Sequence, residues 1–235
     1  MGEKHSPALP QREFVPALGR PELTGLYDRA VALLTRERRW RAALLRLVAP
    51  APGDTILDVG CGTGSFAILM KRDCHGARVI GVDPDPAVLT IARAKAERAG
   101  VAIEWAEAMG DELAKLDRAP VGKIVSSLVF HQCPLPMKRA IIAAMRQVLR
   151  PGGALFVADY GEQRSRFMRL LFRQIQRLDG YDNTQPNADG VLPKLLGRAG
   201  FEQIAERQVI PTPTGSISLY SGIKPPIAAR SEHLH

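Results

Sequence analysis

The sequence predicts an α/β protein built on a doubly wound, mostly parallel sheet, and three observations carry that prediction. Short apolar runs alternate with stretches of helical periodicity over roughly a hundred residues. One run, Thr55-Ile56-Leu57-Asp58-Val59, empties straight into Gly60-Cys61-Gly62-Thr63-Gly64. A second turn, Leu149-Arg150-Pro151-Gly152-Gly153, stops a helical stretch and opens another apolar run. Strands joined through helices in this way take right-handed crossovers and place helices on both faces of one sheet.

The elements follow in order. Residues 1–20 show little periodicity and read as a flexible arm, and 225–235 as a flexible tail. Residues 21–224 between them form one domain. Its first part, 21–50, is a helical cap: Leu23, Leu26, Tyr27, Ala30, Leu33 and Leu34 recur at helical spacing, as do Trp40, Leu44, Leu45 and Val48 before Pro50 and Pro52. Arg36, Arg38, Arg39, Arg41 and Arg46 line the second stretch, most as a solvated face, with at most one or two turned to a ligand. After the first strand come a helix at 65–72, a strand at 78–83 and a helix at 87–99 closed by Gly100. A strand at 101–105, a polar stretch at 107–120, a strand at 123–129, a helix at 134–149 and a strand at 154–158 follow. The segment 162–199 departs from the alternation. It holds an amphipathic helix at 164–178, apolar at Phe167, Leu170, Leu171, Ile175 and Leu178 and basic at Arg164, Arg166, Arg169, Arg173 and Arg177, then a helix at 192–199. Residues 201–210 and 216–223 read as an antiparallel hairpin on the sheet edge.

With 235 residues, 46% of them hydrophobic and 24% charged, the chain is long enough for one sizeable α/β core. No apolar run approaches the roughly 18–20 residues of a membrane span, and 1–20 lack the apolar core of a secretory signal, so a cytoplasmic protein is expected. Cys61, Cys74 and Cys133 are widely spaced and make no C-x-x-C pair, which suggests free thiols, with neither a disulfide framework nor a metal site. The net charge of +8 is compatible with nucleic acid, an anionic membrane surface or an acidic substrate, and does not choose among them.

In an open α/β sheet the ligand lies across the carboxyl ends of the strands. Glycines at 60, 62 and 64 let the backbone turn sharply and approach a ligand with no Cβ between them. Asp83, ending the second strand, can accept hydrogen bonds from both hydroxyls of a ribose, or cap the next helix. A dinucleotide site needs G-x-G-x-x-G; Ser65 stands in the place of the third glycine, which disfavours a dinucleotide-dependent oxidoreductase. Asp58, before the turn, suits the ammonium of an amino acid better than a diphosphate.

Asp58-Val59-Gly60-Cys61-Gly62-Thr63-Gly64 followed by Asp83 resembles the class I S-adenosylmethionine-dependent methyltransferases, over about 27–225 of the chain. Leu149 to Gly153 resembles their turn before the fifth strand, and 201–224 their closing hairpin. Leu26-Tyr27-Asp28, the Trp40 helix and the region from Thr214-Gly215-Ser216 to Pro225 resemble the branch of C-methyltransferases of ubiquinone and menaquinone biosynthesis. The resemblance implies a Rossmann-like, seven-stranded sheet with N-terminal helices over the cofactor, a substrate lid at 162–199, and S-adenosyl-L-methionine as cofactor. It assigns Gly60, Cys61, Gly62 and Gly64 to the methionine and ribose parts, Asp83 to the ribose and Pro84 to the adenine. Glu107 and Ala108, in Ala106-Glu107-Ala108 where relatives carry Gly-Asp-Ala, fall to the adenine amino group. Ser126 would bring its backbone near the methionine part.

Methyl transfer from a sulfonium is an in-line displacement, so alignment and exclusion of water dominate. An oxygen or activated carbon nucleophile also benefits from losing its proton, and His131, after the fourth strand, is the candidate base; it could equally order its loop or contact the cofactor. Tyr27 could contact the sulfonium, line the substrate pocket or belong to the core. Tyr160, at the end of the fifth strand, faces the same edge. The expected acceptor is an apolar or aromatic small molecule, with the lid helix as pocket wall and its arginines either solvated or turned to an acidic substrate or membrane surface. Nucleic-acid or protein methylation rests on charge alone, since no Asn-Pro-Pro-Tyr-like motif follows the fourth strand. A cofactor-binding regulator without activity is a further alternative.

Overall fold

The computed structural model describes residues 36–116 and 119–227. Tyr27 and the first cap helix lie outside the described residues. Seven strands form one sheet in the order β3-β2-β1-β4-β5-β7-β6. They are β1 (Thr55–Val59), β2 (Arg78–Asp83), β3 (Glu104–Glu107), β4 (Val121–Ser127), β5 (Leu149–Tyr160), β6 (Glu202–Thr212) and β7 (Gly215–Ile223). β1 to β5 run parallel, and the β6–β7 hairpin joins β5 antiparallel, as the sequence led us to expect.

The helices are α1 (Glu37–Val48), α2 (Ser65–Asp73), α3 (Pro86–Arg98), α4 (Leu135–Val148), α5 (Arg166–Asp179), α6 (Tyr181–Ala188) and α7 (Val191–Arg198). Because side chains alternate along a strand, β1 sends Leu57 and Val59 to one face and Ile56 and Asp58 to the other. On the first face Leu57 belongs to a cluster that includes Ile141, Ile142 and Met145 of α4 and Leu192, Leu195 and Leu196 of α7. On the second, Ile56 belongs to a cluster with Trp40 and Leu44 of α1 and Phe66 and Met70 of α2. Truncating a core residue such as Ile142 to alanine costs about 2–5 kcal/mol. α7 is thus part of the sandwich, and of segment 162–199 only α5 and α6 pack over the strand ends near β7 and the 130–132 turn.

Four elements differ from expectation. β5 starts at Leu149, five residues before 154, because Leu149 pairs with Val121 and the amide of Gly152 and carbonyl of Gly153 bond Lys224, so the expected turn lies within the strand. β4 runs from Val121 to Ser127 and stops short of 129 because Leu128 turns to positive φ. β3 begins three residues later than 101, because the Val101 amide donates to the Ala96 carbonyl and the Gly100 amide to Glu97, closing α3 with Gly100 at φ 65°. α6 was not foreseen: its sequence, with Pro186 inside, has no apolar period. It is held by the Thr184 hydroxyl, which donates to the Gly180 carbonyl, and by Asn187 Nδ2, which donates to the Tyr160 carbonyl. At the far end of the sheet Lys224 Nζ donates to the carbonyls of Arg146 and Leu149, satisfying groups that the end of α4 leaves open.

Candidate active site

The strand order reverses between β1 and β4, so their carboxyl ends open a crevice for a ligand. The glycine turn fills one wall. Gly60, Gly62 and Gly64 all have positive φ, at 72°, 52° and 74°. A Cβ on Gly60 would meet Val129 Cγ2 at 2.3 Å, and one on Gly64 would meet Trp105 Cη2 at 2.4 Å, whereas one on Gly62 would meet nothing within 4 Å. Glycine is therefore demanded at 60 and 64 by protein packing as well as by backbone conformation, while Gly62 borders open space. Lys95 Nζ, from α3, donates to the hydroxyls of Thr63 and Ser65 beyond the turn.

Asp83 ends β2 beside this turn. Its Oδ2 accepts from the Gly62 amide at 2.8 Å and its Oδ1 from the Asp85 amide at 3.0 Å. The cap of α3 is Asp85, whose Oδ1 accepts from the Ala87 amide, so Asp83 is not spent on capping. A carboxylate has about four lone-pair sites, leaving room for two hydroxyls. Burial raises its pKa and the two amides oppose the rise. Glu107 pairs in register with Asp83 at the end of β3, exposed, and the Ala108 amide donates to the Asp83 carbonyl. Pro84 is half-buried next to them.

Asp58 is fully buried, and neither carboxylate oxygen has a hydrogen-bond partner. Burial pushes its pKa up to about 7; the Arg41 guanidinium works against the rise, the Asp83 charge adds to it, and the nearby Ala67 amide, outside hydrogen-bond geometry, opposes it weakly. An unpartnered buried carboxylate is costly, and a cation supplied by a ligand at the turn would complete it. Arg41 pairs with Glu37, and both line a cleft of about 430 Å³ with Ala42, Ser65 and Leu69, between α1 and the start of α2. These residues fit an amino-acid-bearing nucleoside: an acid for the ribose, a buried acid for the ammonium and an arginine near it. Cys61 is half-buried, its pKa raised by burial and by Asp58. Ser126 is buried in β4, its hydroxyl donating to the Val59 carbonyl, which ties β4 to the strand that leads into the glycine turn.

The other wall follows β4. Leu128 takes φ 56°, a left-handed conformation costly for a branched residue, and its amide donates to Ala158 of β5. This bend sets up the short turn Phe130–Gln132. His131 Nδ1 lies 2.8 Å from Asp159 Oδ1, and His131 Nε2 lies 3.5 Å from Asp179 Oδ2 at the end of α5. Asp159 is fully buried and also accepts from the amides of Phe130 and Tyr160. Burial works against the imidazolium, but the charge and hydrogen bond of Asp159, with those of Asp179, outweigh it and hold the His131 pKa at about 9. Lys138 is buried below this turn, with Nζ donating to the carbonyls of Phe130 and Asn183; burial lowers its pKa to about 8 while Asp159 opposes.

Tyr160 packs edge-on to His131 with ring centroids 5.0 Å apart and tilts against Phe172 of α5 at 5.0 Å. It is 1% exposed, and its hydroxyl bonds Thr214 Oγ1 at 2.7 Å, so it positions the histidine ring from behind. The structure thus brings Asp58, the glycines, Asp83, Glu107 and His131 to one end of the sheet. Sequence reasoning missed Asp159, Asp179, Lys138 and the specific choice of Arg41. A lysine in the first turn of α4, where the helix dipole disfavours a cation, was the available signal for Lys138.

The methyltransferase-domain family matches residues 56–153, which span the glycine turn, both acids and His131. The chain is 31% identical over 155 residues to a demethylmenaquinone methyltransferase of Thermus thermophilus, covering 65% of this chain and 69% of that protein. The chain belongs to the class I S-adenosylmethionine-dependent methyltransferases. It is also 31% identical over 120 residues to a ubiquinone biosynthesis O-methyltransferase of Hahella chejuensis, covering 51% of this chain and 49% of that protein. The chain thus spans about half the length of the ubiquinone relatives it matches. An O-methyltransferase family protein of Burkholderia thailandensis shares this methyltransferase's fold with a TM-score of 0.71 at 15% identity, over 86% of this chain and 59% of that one.

Proposed function

We propose that the protein transfers a methyl group from S-adenosylmethionine to an acidic hydroxyl of an apolar or aromatic small molecule. The observation that carries this reading is the pairing of the unpartnered buried Asp58 with the His131–Asp159 dyad across the mouth of β1 and β4. Asp58 would hold the ammonium of the methyl donor, Arg41 its carboxylate, and Asp83 its ribose, with Glu107, Ala108 and Pro84 around the adenine. Bound there, the cofactor supplies an electrophilic methyl group on a sulfonium, whose transfer leaves a neutral thioether.

His131 then removes the proton of the acceptor hydroxyl at Nε2, while Asp159 keeps Nδ1 protonated and the ring oriented. A phenolic hydroxyl titrates near 10, as in tyrosine. A base held near 9 is closely matched to it, so the proton transfer is almost level in free energy. The relatives named for quinone biosynthesis support a quinol-like acceptor.

The test is incubation with S-adenosylmethionine and a panel of hydroquinones and catechols, with mass spectrometry of the product and of demethylated cofactor, alongside titration calorimetry of the donor. A methylated phenol is expected. Binding of NAD in place of the donor, or methylation of nucleic acid but of no small molecule, overturns the proposal.

A further inference from the structure

Of the large hydrophobic side chains exposed among the described residues, Phe167 (62%), Leu170 (56%), Leu178 (77%) and Tyr181 (59%) fall on α5 and the residue that opens α6. At 3.6 residues per turn Phe167, Leu170 and Leu178 share one stripe of α5. Arg166, Arg169, Arg173 and Arg177 form a second stripe beside it, also exposed. Arg169 pairs with Asp189, whereas no ion pair to Arg166, Arg173 or Arg177 occurs among the described residues. The inner side of the same helix is satisfied: Phe172 is buried, and Leu171 and Ile175 are half-buried. So α5 has one face committed to the protein and an outer face that combines exposed apolar groups with positive charge uncompensated among the described residues.

A merely solvated helix face has no reason to carry Phe and Leu next to its arginines, and an acidic nucleic acid would not bury them. We propose that the outer face of α5 docks on an anionic lipid bilayer. Phe167, Leu170 and Leu178, joined by Tyr181, enter the interface while the arginines meet lipid phosphates, the arrangement by which interfacial helices bind. The chain's net charge of +8 draws the whole molecule toward the same surface. Docking also has a consequence for the site. Phe172 touches Tyr160, Tyr160 touches His131, and Asp179 of α5 reaches His131 Nε2, so the catalytic wall lies about one helix diameter, ~10 Å, behind the lipid-facing surface. An apolar acceptor partitioned in the bilayer would then reach the site without crossing water.

Co-sedimentation of the full chain with vesicles of phosphatidylcholine alone, and of phosphatidylcholine with phosphatidylglycerol, tests this without donor or acceptor, so its failure would leave the methyl-transfer reading standing. Binding to the anionic vesicles, weakened by salt, is expected. Each of Arg166→Gln, Arg173→Gln and Arg177→Gln should weaken it about fivefold, and Phe167→Ser with Leu178→Ser at least about tenfold. These exposed substitutions should leave thermal unfolding unchanged, which separates lost docking from lost fold. Equal binding to neutral vesicles, retention on RNA without vesicle binding, or vesicle binding indifferent to both sets of variants overturns the proposal.

Discussion

Asp179 stands 3.5 Å from His131 Nε2, on the opposite side of the ring from Asp159, so the two imidazole nitrogens face two different carboxylates from β5 and α5. The nitrogen that would take a proton from an acceptor is the one that α5 covers. If His131 is the proposed base, Asp179 would have to give way when a hydroxyl arrives, as would the Gln132 amide 3.4 Å from the same nitrogen, and α5 would then set both access to the base and its proton affinity.

A base must be unprotonated to act, so kcat/KM should rise with pH through a midpoint near 9. Asp179→Asn removes one carboxylate from beside the ring, and the midpoint should move to lower pH. His131→Ala should lower kcat by about 10²–10⁴-fold with little effect on donor binding. An initial-rate pH series for the three proteins checks this; unchanged midpoints would remove Asp179 from the account.

The same titration is a stability statement. The folded pKa of His131 lies above its unfolded value of 6.5, so its contribution is fully present below about 6.5 and is lost as pH rises through about 9. Urea unfolding across this window should show stability falling with pH in the wild type, with that slope reduced in His131→Ala.

Asp58→Asn should have opposite effects on stability and on binding. The wild-type carboxyl has its folded pKa raised from 3.8 to about 7, so folding loses stability as pH rises from about 4 through 7. The amide removes that loss and should stabilise the free protein at pH above 7. It also removes the counter-charge for the donor's ammonium, and calorimetry should show donor binding weakened by about 1.5–3 kcal/mol.

Tyr160→Phe removes the hydroxyl bonded to Thr214 and leaves the ring against His131. We expect a loss of about 1 kcal/mol of stability and near-normal turnover, measured by thermal unfolding and initial rates. A large fall in kcat at unchanged stability would instead give the hydroxyl a chemical role.

The parallel order of β1 to β5 and the glycine turn were legible because both are written in local pattern: apolar runs of strand length, and glycines where positive φ or close packing forbids a Cβ. Asp83 was legible from its place at a strand end, though not its bond to the Gly62 amide, which depends on how β1 and β2 are set side by side. His131 could be named but not its partners. Asp159 reads as one more polar residue before a tyrosine, and Asp179 as a helix end, until the crossover and the hairpin bring them to one ring. The start of β3 was misread because Val101 looks like a strand residue, and its amide is spent on closing α3. α6 carried no period to read: it exists through hydrogen bonds to Gly180 and Tyr160.

Trp105 fills the space that side chains on Gly64 and Gly81 would need, and Trp40 lies beneath the Arg41 guanidinium, 5.3 Å from its ring. They are the chain's two tryptophans, and both sit against groups assigned here to the methyl donor. The protein therefore carries its own optical gauge: donor occupancy should alter intrinsic fluorescence without any label, and Trp105→Phe and Trp40→Phe would tell apart the signal of the glycine turn from that of α1.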